Sequence, residues 1–133
     1  MRHMTVEGLA EFIGQHPRSQ VLDVRSAHEC KAGHMPGDHH VPWLTPDWEP
    51  NPGFLDQALQ RICPDDYVVV ISRSGHHSND ASTLLETTGF KHVYNVLGGY
   101  DDIDDIRKAR HAVSKRAAPW GFPNIGKTSN EQD

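Results

Sequence analysis

The 133-residue sequence contains only two cysteines, Cys30 and Cys63, which is too few for a disulfide framework or for paired zinc-ligand spacing. It has no apolar run near the roughly 20 residues that a membrane-spanning helix needs, and no secretory hydrophobic region follows Met1. The formal net charge of −5 argues against a dedicated nucleic-acid binder. The default expectation is therefore a cytoplasmic protein that binds neither nucleic acid nor membrane.

A short apolar run with no polar alternation stands near the middle of the chain, at residues 68–71. Such a run is typical of a strand that is buried on both faces. The following residues, 72–78, are small and polar, and a helix is predicted from Ser78 to Thr88. In parallel α/β sheets, sites lie beyond the carboxyl ends of the strands. Backbone N–H groups in such a loop, with a helix N-terminus behind them, favour an anion or a thiolate.

The rest of the chain alternates between helical and strand patterns. Helices are predicted over residues 5–15, from Ser26 to Gly33, over residues 54–61 and from Asp101 to about Val113; strands are predicted over 21–24, 40–42 and 92–96. His3-Met4 is interpreted as a cloning remnant before a start near Thr5. The element order predicts one α/β domain over residues 1–113, followed by a basic, partly disordered tail over residues 114–133.

Three segments carry a family resemblance. Residues 72–78 read Ser-Arg-Ser-Gly-His-His-Ser, which resembles the active loop Cys-Arg-Ser-Gly-x-Arg-Ser of the rhodanese-like sulfurtransferases. Residues 22–37 resemble that family's Asp-x-Arg … Glu … Gly-His-Ile-Pro-Gly block, and residues 89–99 resemble its segment ending in Gly-Gly. The resemblance implies a three-layer fold with a parallel central sheet and helices on both faces.

The resemblance also implies a chemistry and its partners. In the family, the loop cysteine takes a sulfane sulfur from a donor such as thiosulfate, holds it as a persulfide and passes it to a thiophilic acceptor. No cofactor is implied, and the expected partners are a small sulfur-containing anion and a sulfur-acceptor or sulfur-carrier protein. Here serine stands at position 72, and because serine supplies no thiolate, the chain as written is expected to be inactive. Ser72 is either natural or an engineered Cys-to-Ser change, and the sequence leaves both open.

The predicted site is the loop itself. Position 72, here Ser72, is the predicted catalytic position, at the floor of a shallow pocket with the amides of residues 73–77 pointing at its side-chain oxygen. The predicted substrate-binding residues are Arg73, Ser74, Gly75, His76 and His77. Arg73 carries a permanent charge that would attract an anion, whereas His77 would do so only when protonated.

Other functions were weighed against sulfur transfer. A non-catalytic binding module for an anion or a partner protein remains the alternative. A serine hydrolase is disfavoured because no Gly-x-Ser-x-Gly elbow surrounds Ser72. A phosphatase or arsenate reductase would need arginine where Ser78 stands. No metal is expected despite the histidines at 34, 39, 40, 76 and 77, because adjacent histidines rarely both ligate.

Three further expectations concern side chains outside the loop. Asp23 and Arg25 are expected to hold the sheet end together through hydrogen bonds. Cys30 and Cys63 are expected to be spectators. Trp43 and Trp48 form either an apolar wall for a partner or a packed loop, and the sequence does not separate the two.

Overall fold

Five parallel strands form the central sheet of the computed structural model, which describes residues 1–105. The strands are β1 (Arg2–Met4), β2 (Gln20–Asp23), β3 (His39–His40), β4 (Tyr67–Ile71) and β5 (His92–Val96), in the order β1-β5-β4-β2-β3. The pairing is parallel throughout. The tail over residues 114–133, and the end of the helix predicted from Asp101, lie outside the described residues.

Four helices connect these strands, and residues 99–105 are also helical. They are α1 (Val6–Gln15), α2 (Ala27–Ala32), α3 (Phe54–Leu59) and α4 (His76–Thr87). The predicted capping box of α2 is present: the Ser26 hydroxyl accepts from the Glu29 N–H, and the Glu29 carboxylate accepts from the Ser26 N–H. In the described part of the chain, no helix is long and apolar enough to cross a membrane.

The core lies on both faces of β4, the middle strand. Val68 and Val70 belong to a cluster that includes buried side chains of α3 and α4. Val69 and Ile71 belong to a second cluster that includes buried side chains of α1 and of the helix beginning at residue 99. Alternate residues of a strand face opposite sides, so the apolar run fills two cores at once. The predicted three-layer α/β fold, with a parallel sheet and helices on both faces, is confirmed.

Several boundaries differ by one or two residues from the sequence-based expectation, and two larger differences concern the elements around the polar loop and the N-terminal strand. Residues 2–4, which include the supposed cloning remnant His3-Met4, form β1 and pair with β5 through His3 opposite Asn95. This edge strand is only three residues long and mostly exposed, so it leaves no apolar pattern. Helix α4 begins at His76 rather than Ser78, because Gly75 takes a left-handed N-cap conformation with φ of 100°. The polar loop is therefore shorter than predicted.

Candidate active site

Ser72 lies directly beyond the carboxyl end of β4 and is 3% exposed. Its Oγ accepts a hydrogen bond from the Gly75 N–H at 3.0 Å and donates one to Ser78 Oγ at 2.9 Å. The expectation that all the amides of residues 73–77 converge on this oxygen is wrong, because only Gly75 of that segment donates to it. The amides of His76 and His77 belong instead to the first turn of α4, whose positive end lies behind Ser72.

The hydroxyl of Ser72 begins a series of hydrogen bonds, buried as far as Asn95, that sequence reasoning missed. Ser78 Oγ donates to Asn95 Oδ1 at 2.5 Å, and Asn95 Nδ2 donates to His3 Nδ1 at 3.3 Å. These hydrogen bonds thus connect the loop, through α4 and β5, to β1. Ser78 is the last residue of the family-like motif, which was the available signal for its role. No comparable signal marks Asn95.

Arg73 is held by two carboxylates from other elements. Its Nε donates to Glu29 Oε2 at 2.5 Å, and its Nη1 donates to Asp101 Oδ1 at 3.2 Å. Partial burial of Glu29 tends to raise its pKa, but the hydrogen bond and charge of Arg73, together with hydrogen bonds from Ser26, outweigh burial and lower that pKa. Glu29 is therefore ionised at neutral pH, and the cation expected to meet an anion is partly compensated within the protein.

The loop is anchored by the start of the helix at residue 99. The Tyr100 N–H donates to the carbonyl of Ser72 at 2.9 Å, and the Asp101 N–H donates to the carbonyl of Arg73 at 2.8 Å. Gly99 permits this approach, since a Cβ there would lie 2.1 Å from the Ser72 oxygen. The Gly-Gly turn therefore fixes the position of the loop backbone.

The remaining predicted residues lie around the opening of the same pocket. The hydroxyl of Ser74 and Nδ1 of His76 share a hydrogen bond of 2.9 Å. Both side chains are exposed, as is His77, whereas Gly75 is buried beneath them. A backbone atom, Gly98 N, would lie 3.1 Å from a Cβ at Gly75. The loop backbone at Gly75 thus packs against the protein, whereas the side chains of Ser74, His76 and His77 face solvent.

The pocket above Ser72 has a volume of about 1040 Å³. Five of the six predicted site residues line it: Ser72, Arg73, Ser74, His76 and His77. Of the other walls, only Trp48 had been considered, as one of two tryptophans that could form an apolar wall; the rest come from segments distant in sequence and were not predicted. Together these walls consist of residues 24–29, at the end of β2 and in α2, and of Pro42, Leu44, Thr45, Pro46 and Trp48.

The two tryptophans of the 43–53 loop have different surroundings. Trp43 packs edge-on against Phe54, with ring centroids 5.0 Å apart. Trp48 lines the pocket and is 78% exposed, with a φ of 63°. The loop beneath it is held by hydrogen bonds from Thr45 N to Glu49 O at 2.7 Å and from Trp48 N to Thr45 O at 2.9 Å. The packed-loop interpretation therefore fits Trp43, and the wall interpretation fits Trp48.

Asp23 and Arg25 form a buried ion pair beneath the pocket. Arg25 Nη2 donates to Asp23 Oδ2 at 2.8 Å and to the Gly33 carbonyl at 2.6 Å, and the guanidinium carbon lies 3.6 Å from the centre of the Tyr100 ring. Burial tends to lower the pKa of Arg25, but the hydrogen bonds and charge of Asp23 outweigh burial and raise it. As expected, the pair joins the end of β2 to its neighbours.

Asp23→Asn is expected to lower the free energy of unfolding by about 3–5 kcal/mol, because it leaves the buried Arg25 charge uncompensated. Asp65→Asn is the matched control: the Asp65–Lys91 ion pair, 2.9 Å long, is exposed, so its loss should cost no more than about 1 kcal/mol. Urea unfolding of both variants measures the difference. Equal losses would contradict a structural role for the buried pair.

The two cysteines lie outside the loop. Burial raises the pKa of the Cys30 thiol to about 11, and the nearby charges of Asp23 and Asp38 add to the rise. Cys30 is therefore a poor nucleophile at neutral pH. Cys63 precedes β4 and so lies toward the opposite end of the sheet from Ser72. Within residues 1–105, no group of three or more His, Cys, Asp or Glu side chains is arranged to hold a metal ion.

The parallel three-layer α/β fold thus places a strand–loop–helix site at the carboxyl end of its middle strand. Residues 5–105 match the family described as the rhodanese-like domain. The chain belongs to the rhodanese-like family.

Named relatives agree with that assignment. Thiosulfate sulfurtransferase 16, chloroplastic, from Arabidopsis thaliana is 35% identical over 59% of this chain and 68% of its own length. Thiosulfate sulfurtransferase 18 from the same plant is 37% identical over 61% of this chain and 63% of its own length. The chain spans only about half the length of two other curated relatives. The crystal structure of Rv0390 from M. tuberculosis is 28% identical, with a TM-score of 0.68, over 74% of this chain and 79% of that one.

Proposed function

We propose that position 72 is the sulfur-carrying position of a sulfane-sulfur transfer site, and that Ser72 leaves the chain inactive as written. The observation that carries this proposal is the placement of the Ser72 side chain. It lies at the base of the pocket, with Oγ 3.0 Å from the Gly75 amide and 2.9 Å from Ser78 Oγ. A backbone N–H donor and a helix N-terminus beside one side-chain atom are an environment that lowers the pKa of a thiol.

With cysteine at position 72, the chemistry is a two-step transfer. The thiolate attacks the sulfane sulfur of thiosulfate, a new S–S bond forms, and sulfite leaves with the electron pair of the S–S bond that breaks. The resulting persulfide then gives its outer sulfur to an acceptor such as cyanide, and the thiolate is regenerated. A sulfur-acceptor or sulfur-carrier protein would take the place of cyanide in the cell. Serine cannot start this sequence, because its hydroxyl stays protonated near neutral pH.

A non-catalytic binding module is the second candidate, and one observation favours it. The Ser72 hydroxyl both accepts and donates a hydrogen bond, within a buried chain that continues through Ser78 to Asn95. A buried hydroxyl that both donates and accepts a hydrogen bond contributes to the stability of the loop. In that case the pocket holds an anion or a partner protein and does no chemistry.

Ser72→Cys distinguishes the two candidates. After incubation with thiosulfate and removal of excess reagent, mass spectrometry of the intact protein should show one added sulfur atom, located in the peptide that contains residue 72. The chain with Ser72, treated identically, is the control and should stay unmodified. An unmodified Ser72→Cys protein would favour the binding module.

Arg73 is proposed to attract the anionic donor, and its carboxylate partners should limit that attraction. In the Ser72→Cys background, Asp101→Asn is expected to lower the KM for thiosulfate by about two- to fivefold, which corresponds to the small energy of an exposed ion pair. Asp104→Asn removes the same charge from the same helix, but Asp104 is not among the carboxylates that pair with Arg73 in the described residues, so this variant should change KM less. Steady-state kinetics at low salt measures both. Equal effects would exclude a specific role for the Asp101–Arg73 pair.

A further inference from the structure

The pocket is much larger than an inorganic sulfur anion requires. Pockets of about 300–1,000 Å³ typically enclose drug-sized ligands, and this pocket has a volume of about 1040 Å³. Thiosulfate at position 72 would leave most of that space to solvent. The volume therefore suits a donor in which the sulfur-bearing group carries an organic substituent.

The charge of the pocket also disfavours a small dianion. Its two arginines are both compensated: Arg25 by Asp23, and Arg73 by Glu29 and Asp101. The other basic side chains of the lining are His28, His76 and His77, and a histidine is cationic only when protonated. The lining thus offers little uncompensated positive charge that could bind a dianion. A ligand with a single negative charge needs less positive charge from the protein.

One wall of the pocket is apolar and rigidly supported. It is formed by Pro42, Leu44, Pro46 and Trp48. Trp48 is the most exposed of the large hydrophobic residues in the described chain. Its φ of 63° is unusual for a bulky side chain, and such outliers cluster at active sites and ligand clamps. The hydrogen bonds of Thr45 and an antiparallel bridge between Leu44 and Pro50 hold the loop in this shape.

We propose that the pocket takes an organic sulfane-sulfur compound whose sulfur end reaches position 72 and whose apolar substituent packs against Trp48, the specificity-determining residue. This inference rests on the proposed function, since it names the substrate class of the same site. In the Ser72→Cys variant, the thiolate bonds to the sulfane sulfur of a thiosulfonate, the S–S bond of the donor breaks, and the sulfinate leaves with the electron pair.

Two donors of the same sulfur chemistry test the proposal: thiosulfate, and benzenethiosulfonate, which adds an aromatic ring and carries one negative charge. In the Ser72→Cys background, kcat/KM should be higher for benzenethiosulfonate. Trp48→Ala should lower that value about tenfold, since an aromatic contact is lost, and change the value for thiosulfate less than about twofold. Leu59→Ala is the control, because Leu59 is exposed but does not line the pocket. An equal effect of Trp48→Ala on both donors, or no effect on either, would overturn the proposal.

Binding to the unreactive chain separates this proposal from the proposed function. Calorimetry with benzenethiosulfonate on the protein with Ser72 should show binding that Trp48→Ala weakens about tenfold and Trp48→Phe largely retains. If Ser72→Cys transfers no sulfur from either donor but this binding is seen, the transfer function fails and the assignment of the pocket stands. If Ser72→Cys is active with thiosulfate while Trp48 affects neither binding nor rate, the transfer function stands and the role of Trp48 fails.

Discussion

Ser72→Cys is expected to raise thiosulfate:cyanide sulfurtransferase activity by about 10³-fold or more over the chain with serine, because the nucleophile is the component that serine cannot replace. The rest of the site needs no rearrangement. Gly75 N and Ser78 Oγ already lie 3.0 and 2.9 Å from the side-chain atom at position 72. Thiocyanate formation beside a protein-free blank measures the gain.

The two native cysteines provide the controls. Cys30→Ser and Cys63→Ser, each added to Ser72→Cys, should leave the transfer rate nearly unchanged, because the Cys30 thiol is protonated at neutral pH and Cys63 lies away from the pocket. Turnover by the chain that retains Ser72 would mean that one of these cysteines carries the sulfur. The assignment of position 72 would then be wrong.

The centre of the site was predictable because its signal is local. A run of β-branched residues, a short polar loop and a helical repeat follow one another within about twenty residues, and that order alone places position 72 at the carboxyl end of a buried strand. The apolar run predicted a strand over residues 68–71, where the structure has Tyr67–Ile71, and the separate prediction of a strand over 92–96 matches His92–Val96. Asp23 and Arg25 were expected to hold the sheet end together through hydrogen bonds, and the structure shows such bonds between them.

The electrostatics of the loop was not predictable, because it depends on contacts between distant residues. Arg73 meets Glu29 across 44 positions and Asp101 across 28 positions of sequence. The permanent positive charge of Arg73 is therefore partly compensated by these carboxylates in the fold. The strand β1 was missed for a related reason: its pairing with β5 joins residues more than ninety positions apart, and three mostly exposed residues carry no periodicity of their own.

The roles of the two tryptophans in the 43–53 loop can be distinguished only in the folded structure. Trp43 and Trp48 lie in the same loop, and the sequence alone does not show which of them lines a binding surface and which packs inside the protein. Trp43 reaches the core beside Phe54, whereas hydrogen bonds to Thr45 turn the chain so that Trp48 faces the pocket. The size of the pocket follows from this loop, which sequence reasoning left without structure.

Gly99→Ala is expected to lower the free energy of unfolding by about 3–5 kcal/mol, at the upper end of single substitutions. A Cβ at Gly99 would lie 2.1 Å from the Ser72 carbonyl oxygen and 2.7 Å from the Arg73 carbonyl oxygen. Neither backbone atom can move without carrying the loop with it. The Tyr100 and Asp101 amides would therefore separate from the carbonyls that they now bind.

Gly37→Ala is the matched control for the backbone conformation. Gly37 has a φ of 77° and Gly99 a φ of 54°, but no atom lies within 4 Å of a Cβ built at Gly37. The cost of the left-handed conformation, about 1–2 kcal/mol, is common to both variants, so the difference isolates the clash with the loop. Urea unfolding with unchanged m-values measures both losses. If the two losses are equal, the close approach of Gly99 does not hold the loop, and the Gly-Gly turn has no part in positioning residue 72.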